Sequence, residues 1–211
     1  TGGQGLGTVS LRGRIVRILK NEAPTHGNDL HLTIDFPLQI DSVAAMDGKR
    51  GTVIVVDPRL SNVAAKAHEW LPISPGTDGA LAGAIAHVLL TEGLWNKEFV
   101  GDFKDGRNQF VAGKAVDEAA FAEKETSGLV KWWNLELKDQ TPDWGEKESL
   151  IPAAQIVRVA RAMGKAAPRT IVWMGPGVAM TPRGTYAAMA VHALNGLVGS
   201  IDVEGGVWQS P

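Results

Sequence analysis

One run of residues limits the folds open to this chain more than any other. Thr52-Val53-Ile54-Val55-Val56-Asp57 sets five β-branched side chains in succession, with no apolar–polar alternation. A strand with one wet face alternates; a strand covered on both faces does not. The run therefore predicts a short central strand of a parallel sheet. Pro58 cannot supply a ladder N–H, so the strand stops there. "RTIVWMG" (169–175) has the same character and predicts a second core strand, broken by Gly175-Pro176-Gly177.

Helical patterns fill the intervals. "HGNDLHLTIDFPLQIDSVAAMDGKRG" predicts a loop at Gly27-Asn28-Asp29 and a helix ending near Asp47-Gly48. "SNVAAKAHEW" predicts a short helix capped by Ser61 or Asn62, and the prolines of "LPISP" keep that stretch extended. "TDGALAGAIAHVLLTEG" predicts a helix capped by Thr77 or Asp78, with Leu81, Ile85, Val88 and Leu89 as its buried stripe and Gly93 at its end. "PAAQIVRVARAMGKA" (152–166) places Ile156, Val159, Ala160 and Met163 on one helix face, and "GTYAAMAVHALNGLVG" predicts a last helix stopped by Asn195-Gly196. Strands alternating with helices imply an α/β fold: three layers, a mostly parallel sheet with helices on both faces, Rossmann-like.

The predicted organisation is a flexible or irregular segment at 1–26, then a single α/β dinucleotide-binding domain at 27–211. "TGGQGLG" does not fit G-x-G-x-x-G, although "GRIVRILK" after it suits a short strand. Residues 96–150 are rich in polar residues and predict an excursion over the surface. Within it Thr141-Pro142-Asp143 is a helix-start signal, and Trp132, Trp133 and Trp144 pin the excursion down.

Composition excludes several classes. A net charge of −2 over 211 residues gives no basis for a nucleic-acid surface. No apolar run reaches the roughly 18–20 residues that span a bilayer, which predicts no membrane insertion. The absence of cysteine removes disulfides, cysteine-ligated zinc and Fe–S clusters, and cysteine nucleophiles. It leaves the compartment open between periplasm and cytoplasm of a prokaryote. The five histidines show no metal-ligand spacing, and no residues form a catalytic triad or acid–base pair. No catalytic or metal-binding residue is assigned.

In an open parallel sheet, ligands sit beyond the carboxyl ends of the strands. Gly27-Asn28-Asp29, Asp57-Pro58-Arg59 and Gly175-Pro176-Gly177 fall on that edge, and Pro75-Gly76-Thr77-Asp78 opens a helix that can face it. A carboxylate there can accept two hydrogen bonds, from the hydroxyl pair of a ribose or from the N1–H and N2–H₂ of guanine. Free amides at a glycine turn or helix N-terminus suit a pyrophosphate. Plainer roles also fit: Asp78 as a helix N-cap, Asp57 as a strand-end turn residue, Arg59 as a solvated charge, and the glycines as turn formers.

These residues in this order resemble a known family. "IVVDPRLSNVAAKAHEWLPISPGTDGALAGAIAHVLLTEGLWNKEFV", "QTPDWGEKESLIPAAQIVRVARAMGKA" and "IVWMGPGVAMTPRGTYAAMAVHALNGLVGSIDVEGG" are similar to successive stretches of the molybdopterin oxidoreductases of the dimethyl sulfoxide reductase type. The resemblance implies a molybdopterin guanine dinucleotide cofactor carrying molybdenum or tungsten. Asp57, Pro58 and Arg59, with Ser61 in the same loop, match the strand-end loop that contacts a guanosine. Gly76, Thr77 and Asp78 match the loop whose acid binds the guanine. Gly175 and Gly177 match the glycine turn near the pterin, and Gly27, Asn28 and Asp29 suit the loop at the dinucleotide phosphates. Met180 stands where the family often has a polar residue near the metal.

The resemblance places the metal ligand and the Fe–S cysteines upstream of residue 1. The chain is then expected to be an inactive fragment of a catalytic subunit with no Fe–S cluster of its own. Its partners would be the remainder of that subunit and an Fe–S electron-transfer subunit, and the parent would act on a small inorganic or one-carbon substrate. A free-standing nucleotide-binding or structural module is the alternative; a nicotinamide dehydrogenase lacks its glycine fingerprint here.

Overall fold

The computed structural model describes residues 5–9, 15–21, 51–114 and 128–207. The chain divides into two compact units, Thr1–Gly51 and Thr52–Pro211. In the first, β1 (Gly5–Val9) pairs antiparallel with β2 (Ile15–Asn21). The segment expected to be flexible or irregular thus contains a two-stranded ladder, and β2 falls on the strand predicted at "GRIVRILK". The boundary expected near residue 27 and the predicted helix ending near residue 47 lie outside the described residues.

The second unit is a mixed helix and small-sheet structure of α/β class. β3 (Ile54–Val56) pairs parallel with β4 (Glu69–Leu71), in the register Ile54↔Glu69, Val55↔Trp70, Val56↔Leu71. A 12-residue crossover joins them, Asp57 to His68, near the minimum that a parallel pair permits. "SNVAAKAHEW" does not form the predicted helix. A 3-10 turn forms at Ala64–Lys66, where the Ala64 amide donates to Ser61 Oγ at 3.2 Å, and Glu69-Trp70-Leu71 joins the sheet. The window is too short for a stable helix, and its last residues gain more from ladder bonds.

Behind this pair lies a helical body. α1 (Asp78–Thr91) is buried from Leu81 to Leu90 on nearly every face, half-buried His87 being the exception. A helix apolar all round needs neighbours all round. Those neighbours are α3 (Pro142–Ser149), α4 (Ala153–Ala166) and α6 (Gly184–Leu197). α3 packs tightly on α1 at Gly145, where a Cβ would come within 2.5 Å of Ala84 Cβ and 3.0 Å of Ile156 Cδ1. α3 starts where Thr141-Pro142-Asp143 predicts, with Thr141 Oγ1 accepting from the Trp144 amide at 3.3 Å. α4 buries Ile156, Val159, Ala160 and Met163, the predicted stripe. It is tied to β4 by a Gln155 Nε2 bond to the Trp70 carbonyl (3.1 Å) and by an Arg158–Glu69 ion pair.

The stretch expected as a polar surface excursion also supplies core. Phe110, Leu129, Val130, Trp133 and Leu137 are all buried. α2 (Leu129–Trp132) runs into a π-helix at Trp133–Leu137, while β5 (Phe103–Lys104) and β6 (Arg107–Asn108) make a hairpin around Asp105-Gly106. Both turn residues have positive φ (51° and 73°), the primed geometry that matches strand twist. Scattered apolar residues anchor this segment, and its average polarity conceals them. Asp102, beside the hairpin, is fully buried with neither carboxylate oxygen hydrogen-bonded, and desolvation raises its pKa.

The predicted second core strand does not form a ladder. Residues 171–175 form no regular secondary structure, and Ile171 and Trp173 are exposed. Buried Asn195 of α6 takes the place of a neighbouring strand: its Oδ1 accepts from the Val172 amide (2.8 Å) and its Nδ2 donates to the Val172 carbonyl (3.0 Å). α5 (Pro176–Ala179) follows as a single turn.

Candidate functional site

Parallel pairing decides where the two candidate acids fall. β3 and β4 run the same way, so Asp57 and the loop from Pro72 to Asp78 leave one edge of the pair. Asp57 is fixed three times over. Its amide donates to the Leu71 carbonyl (3.2 Å), its carbonyl accepts from Trp70 Nε1 (2.8 Å), and its Oδ1 accepts from the Arg59 amide (2.8 Å). The last bond is a local turn that carries the chain around Pro58. One carboxylate oxygen is thereby engaged, and Oδ2 has no partner among the described residues. Pro58 and Arg59 are exposed; the Ser61 hydroxyl serves the 3-10 turn.

Asp78 differs. Thr77 occupies the N-cap position of α1, at φ −108° and ψ 16°, and no side chain caps the helix. That backbone lies outside the extended geometry that aims a cap oxygen at the first amides. The Thr77 hydroxyl instead donates back to the Ser74 carbonyl at 2.7 Å. Asp78, the first helical residue, is half-buried with no hydrogen bond or ion pair among the described residues. The predicted capping role is therefore absent for both residues. The carboxylate sits at the positive end of a 14-residue helix, where negative charge is favoured. Gly76 before it has φ +83°, a conformation that needs glycine.

α1 and α6 bring the residues that follow the third candidate segment alongside. A Cβ at Gly76 would lie 4.0 Å from Thr181 Cγ2, and one at Gly79 would lie 3.3 Å from Ala187 Cα. The Gly76–Asp78 loop therefore borders residues 181–187, which follow the glycine turn. Gly175 and Gly177 are exposed, with nothing within 4 Å of where a side chain would begin, so a bulky group can reach their backbone. Thr181 is a neighbour that the sequence reading missed, because only the packing of α1 on α6 reveals it. Met180 is largely exposed. Gly27, Asn28 and Asp29 lie outside the described residues.

A cavity of about 450 Å³ lies elsewhere, lined by His87, Lys114, Trp133, Asn134 and Lys138 among others. It takes nothing from the strand-end loops. Among the described residues no three His, Asp or Glu side chains group as metal ligands, and no helix is long and apolar enough to cross a membrane.

A strand-end acid and a free acid at a helix start thus lie on segments that leave the same edge of the strand pair, and an exposed glycine turn precedes the residues that border the second. The family model for molybdopterin oxidoreductase matches residues 38–210, and the chain belongs to that family, whose members bind a molybdopterin cofactor. It is 61% identical over 158 residues to the arsenate respiratory reductase molybdopterin-containing subunit ArrA of Chrysiogenes arsenatis, covering 75% of this chain and 18% of that one. It is 55% identical over 156 residues to the ArrA subunit of Shewanella sp. ANA-3, covering 74% and 18%. A probable dimethyl sulfoxide reductase chain of Escherichia coli K12, YnfF, is 34% identical over 163 residues, covering 77% and 20%. The fold is also similar to that of acetylene hydratase from Pelobacter acetylenicus, with TM-score 0.64 and 22% identity over 82% of this chain and 20% of that one. The chain thus spans about a fifth of the length of these relatives.

Proposed function

We propose that this chain is the part of a molybdenum or tungsten oxidoreductase that holds one molybdopterin guanine dinucleotide, and that the parent enzyme reduces arsenate. The observation that carries the cofactor reading is Asp78. Its carboxylate is half-buried at a helix N-terminus, on the segment that leaves the strand paired with the one ending at Asp57, and has no partner among the described residues. Two acceptor oxygens in that position fit the N1–H and N2–H₂ edge of guanine. Asp57, with one oxygen uncommitted, suits the ribose hydroxyls; Pro58, Arg59 and Ser61 shape its loop. Gly76 and Thr77 set the direction in which Asp78 enters, while Gly175 and Gly177 leave backbone open to the pterin end. Gly27, Asn28 and Asp29 are proposed at the phosphates.

The bound cofactor would supply the redox chemistry, and these residues would hold and orient it. Taken with the remainder of a catalytic subunit, the β3–β4 pair and the strand-like composition of residues 171–175 suit a three-layer, Rossmann-like sheet. An Fe–S subunit would exchange electrons with the parent, and this chain alone would not turn over substrate.

The arsenate reading rests on a step in similarity. Identity to the two arsenate reductase subunits is 61% and 55%, whereas it is 34% to the dimethyl sulfoxide reductase chain and 33% to the thiosulfate reductase subunit PhsA of Salmonella typhimurium.

Two measurements test the proposal. The purified parent subunit carrying Asp78→Ala should retain markedly less guanine nucleotide after acid release than the unsubstituted protein; equal content rejects the guanine assignment. The holoenzyme should oxidise a reduced viologen dye with arsenate faster than with dimethyl sulfoxide or thiosulfate, and the reverse order rejects the substrate.

A further inference from the structure

We propose that the cavity at the C-terminal end of α1 binds a small multivalent oxyanion, at a site separate from the strand-end loops. Along α1, Asp78 at one end and Thr91 at the other stand roughly 20 Å apart at the helical rise. The two sites therefore share a helix without sharing residues.

His87 is the fixed point. Its Nδ1 lies 2.6 Å from the Leu137 carbonyl oxygen. A carbonyl only accepts, so Nδ1 carries the proton. The ring also stacks on buried Trp133, with centroids 5.6 Å apart and planes 25° from parallel. With one nitrogen and one face held, the imidazole has a set orientation, and Nε2 has no partner among the described residues. Trp133 and Leu137 begin and end the π-helix, a rare wide turn often found at functional sites.

Two cations complete the lining. Lys114 and Lys138 come from different segments, and neither side chain has a hydrogen bond or ion pair among the described residues. Among the described residues, no carboxylate lines the cavity. Two ammonium groups beside one cavity, with no acidic partner among the described residues, repel each other, and an anion between them relieves that repulsion. Each ammonium offers three donors, which suits the acceptor-only oxygens of phosphate, sulfate or arsenate better than a monovalent halide. A volume of about 450 Å³ holds such an ion with its waters.

Calorimetric titration of the full-length protein with inorganic phosphate, and separately with sulfate, tests this. Ionic strength is held constant with sodium chloride. Saturable binding is expected, and Lys114→Ala with Lys138→Ala should weaken it about tenfold or more, the scale of a lost charge-assisted hydrogen bond. Both lysines are exposed, so the double variant should fold. His87→Asn keeps a donor for Leu137 and removes Nε2, and it should also weaken binding. No saturable heat with either ion overturns the proposal; so does binding that the double lysine variant retains. Asp78→Ala should leave phosphate binding unchanged, so this site and the guanine site can fail independently.

Discussion

Leu89 and Asp78 belong to one helix and answer to opposite demands. Leu89 is completely buried in the body formed by α1, α3, α4 and α6. Asp78, eleven residues earlier, is a half-buried acid that none of the described residues engages. The body is held mainly by apolar packing and a few tie bonds. The strand-end loops leave polar groups uncommitted and hold their backbone in place all the same. Buried packing at Leu89 and an uncommitted acid at Asp78 therefore make different demands on one helix, and substitutions should separate them.

The largest stability effect belongs to the body. Leu89→Ala should cost about 3 kcal/mol in denaturant unfolding, the range for a fully buried leucine, while guanine-nucleotide affinity per folded molecule stays the same. A parallel loss of affinity would show that body and loops are not separable. Asn195→Ala comes next, at about 2 kcal/mol, because it strips partners from both backbone groups of Val172. Faster hydrogen exchange at the Val172 amide should accompany it; unchanged exchange would mean that the clasp does not hold in solution.

Asp102 sharpens the contrast by reversing the sign. It is a polar group left uncommitted inside the body, with its pKa raised by burial. The folded state binds its proton more tightly than the unfolded state. Stability therefore falls as pH rises from the ordinary carboxylate range to the raised value, and the penalty is complete above it. Asp102→Asn should stabilise the protein at neutral pH by about 1–2 kcal/mol, with the gain shrinking toward pH 4 in paired melts. A loss of stability at neutral pH would mean that the carboxylate has a partner in solution. Asp78→Ala should move stability least, by less than about 1 kcal/mol, since it removes only a favourable charge at a helix start. Its effect belongs in nucleotide binding; a large drop in melting temperature would make Asp78 a structural residue.

The helices α1, α3, α4 and α6 were legible because their signals are local. Ile156, Val159, Ala160 and Met163 repeat at helical spacing, and Thr141-Pro142 marks a start whose cap bond forms. β3 was legible from its β-branched run. β4 was not, because "AHEW" carries no strand pattern and joins a sheet only through pairing with Ile54–Val56. "RTIVWMG" shows the converse. Its composition is that of a core strand, yet strand composition supplies no neighbour, and a side-chain amide fills the place of one. Asp57 and Asp78 could be singled out from position alone. Nothing in the sequence shows that Thr77 turns its hydroxyl back toward Ser74 and leaves the acid beside it free. The cavity was out of reach as well, since His87, Lys114 and Lys138 meet only after three distant segments pack.

The parallel register of β3 and β4 also acts as a spacer. Neighbouring parallel strands stand about 4.8 Å apart, and their ends leave side by side whatever the crossover does. Here the separation is locked by the Asp57 amide on Leu71 and the Trp70 indole on the Asp57 carbonyl. Residues could be added between Asn62 and Lys66 without moving the two strand ends. Such a gauge lets the outer loop drift over evolutionary time while the distance it guards stays constant.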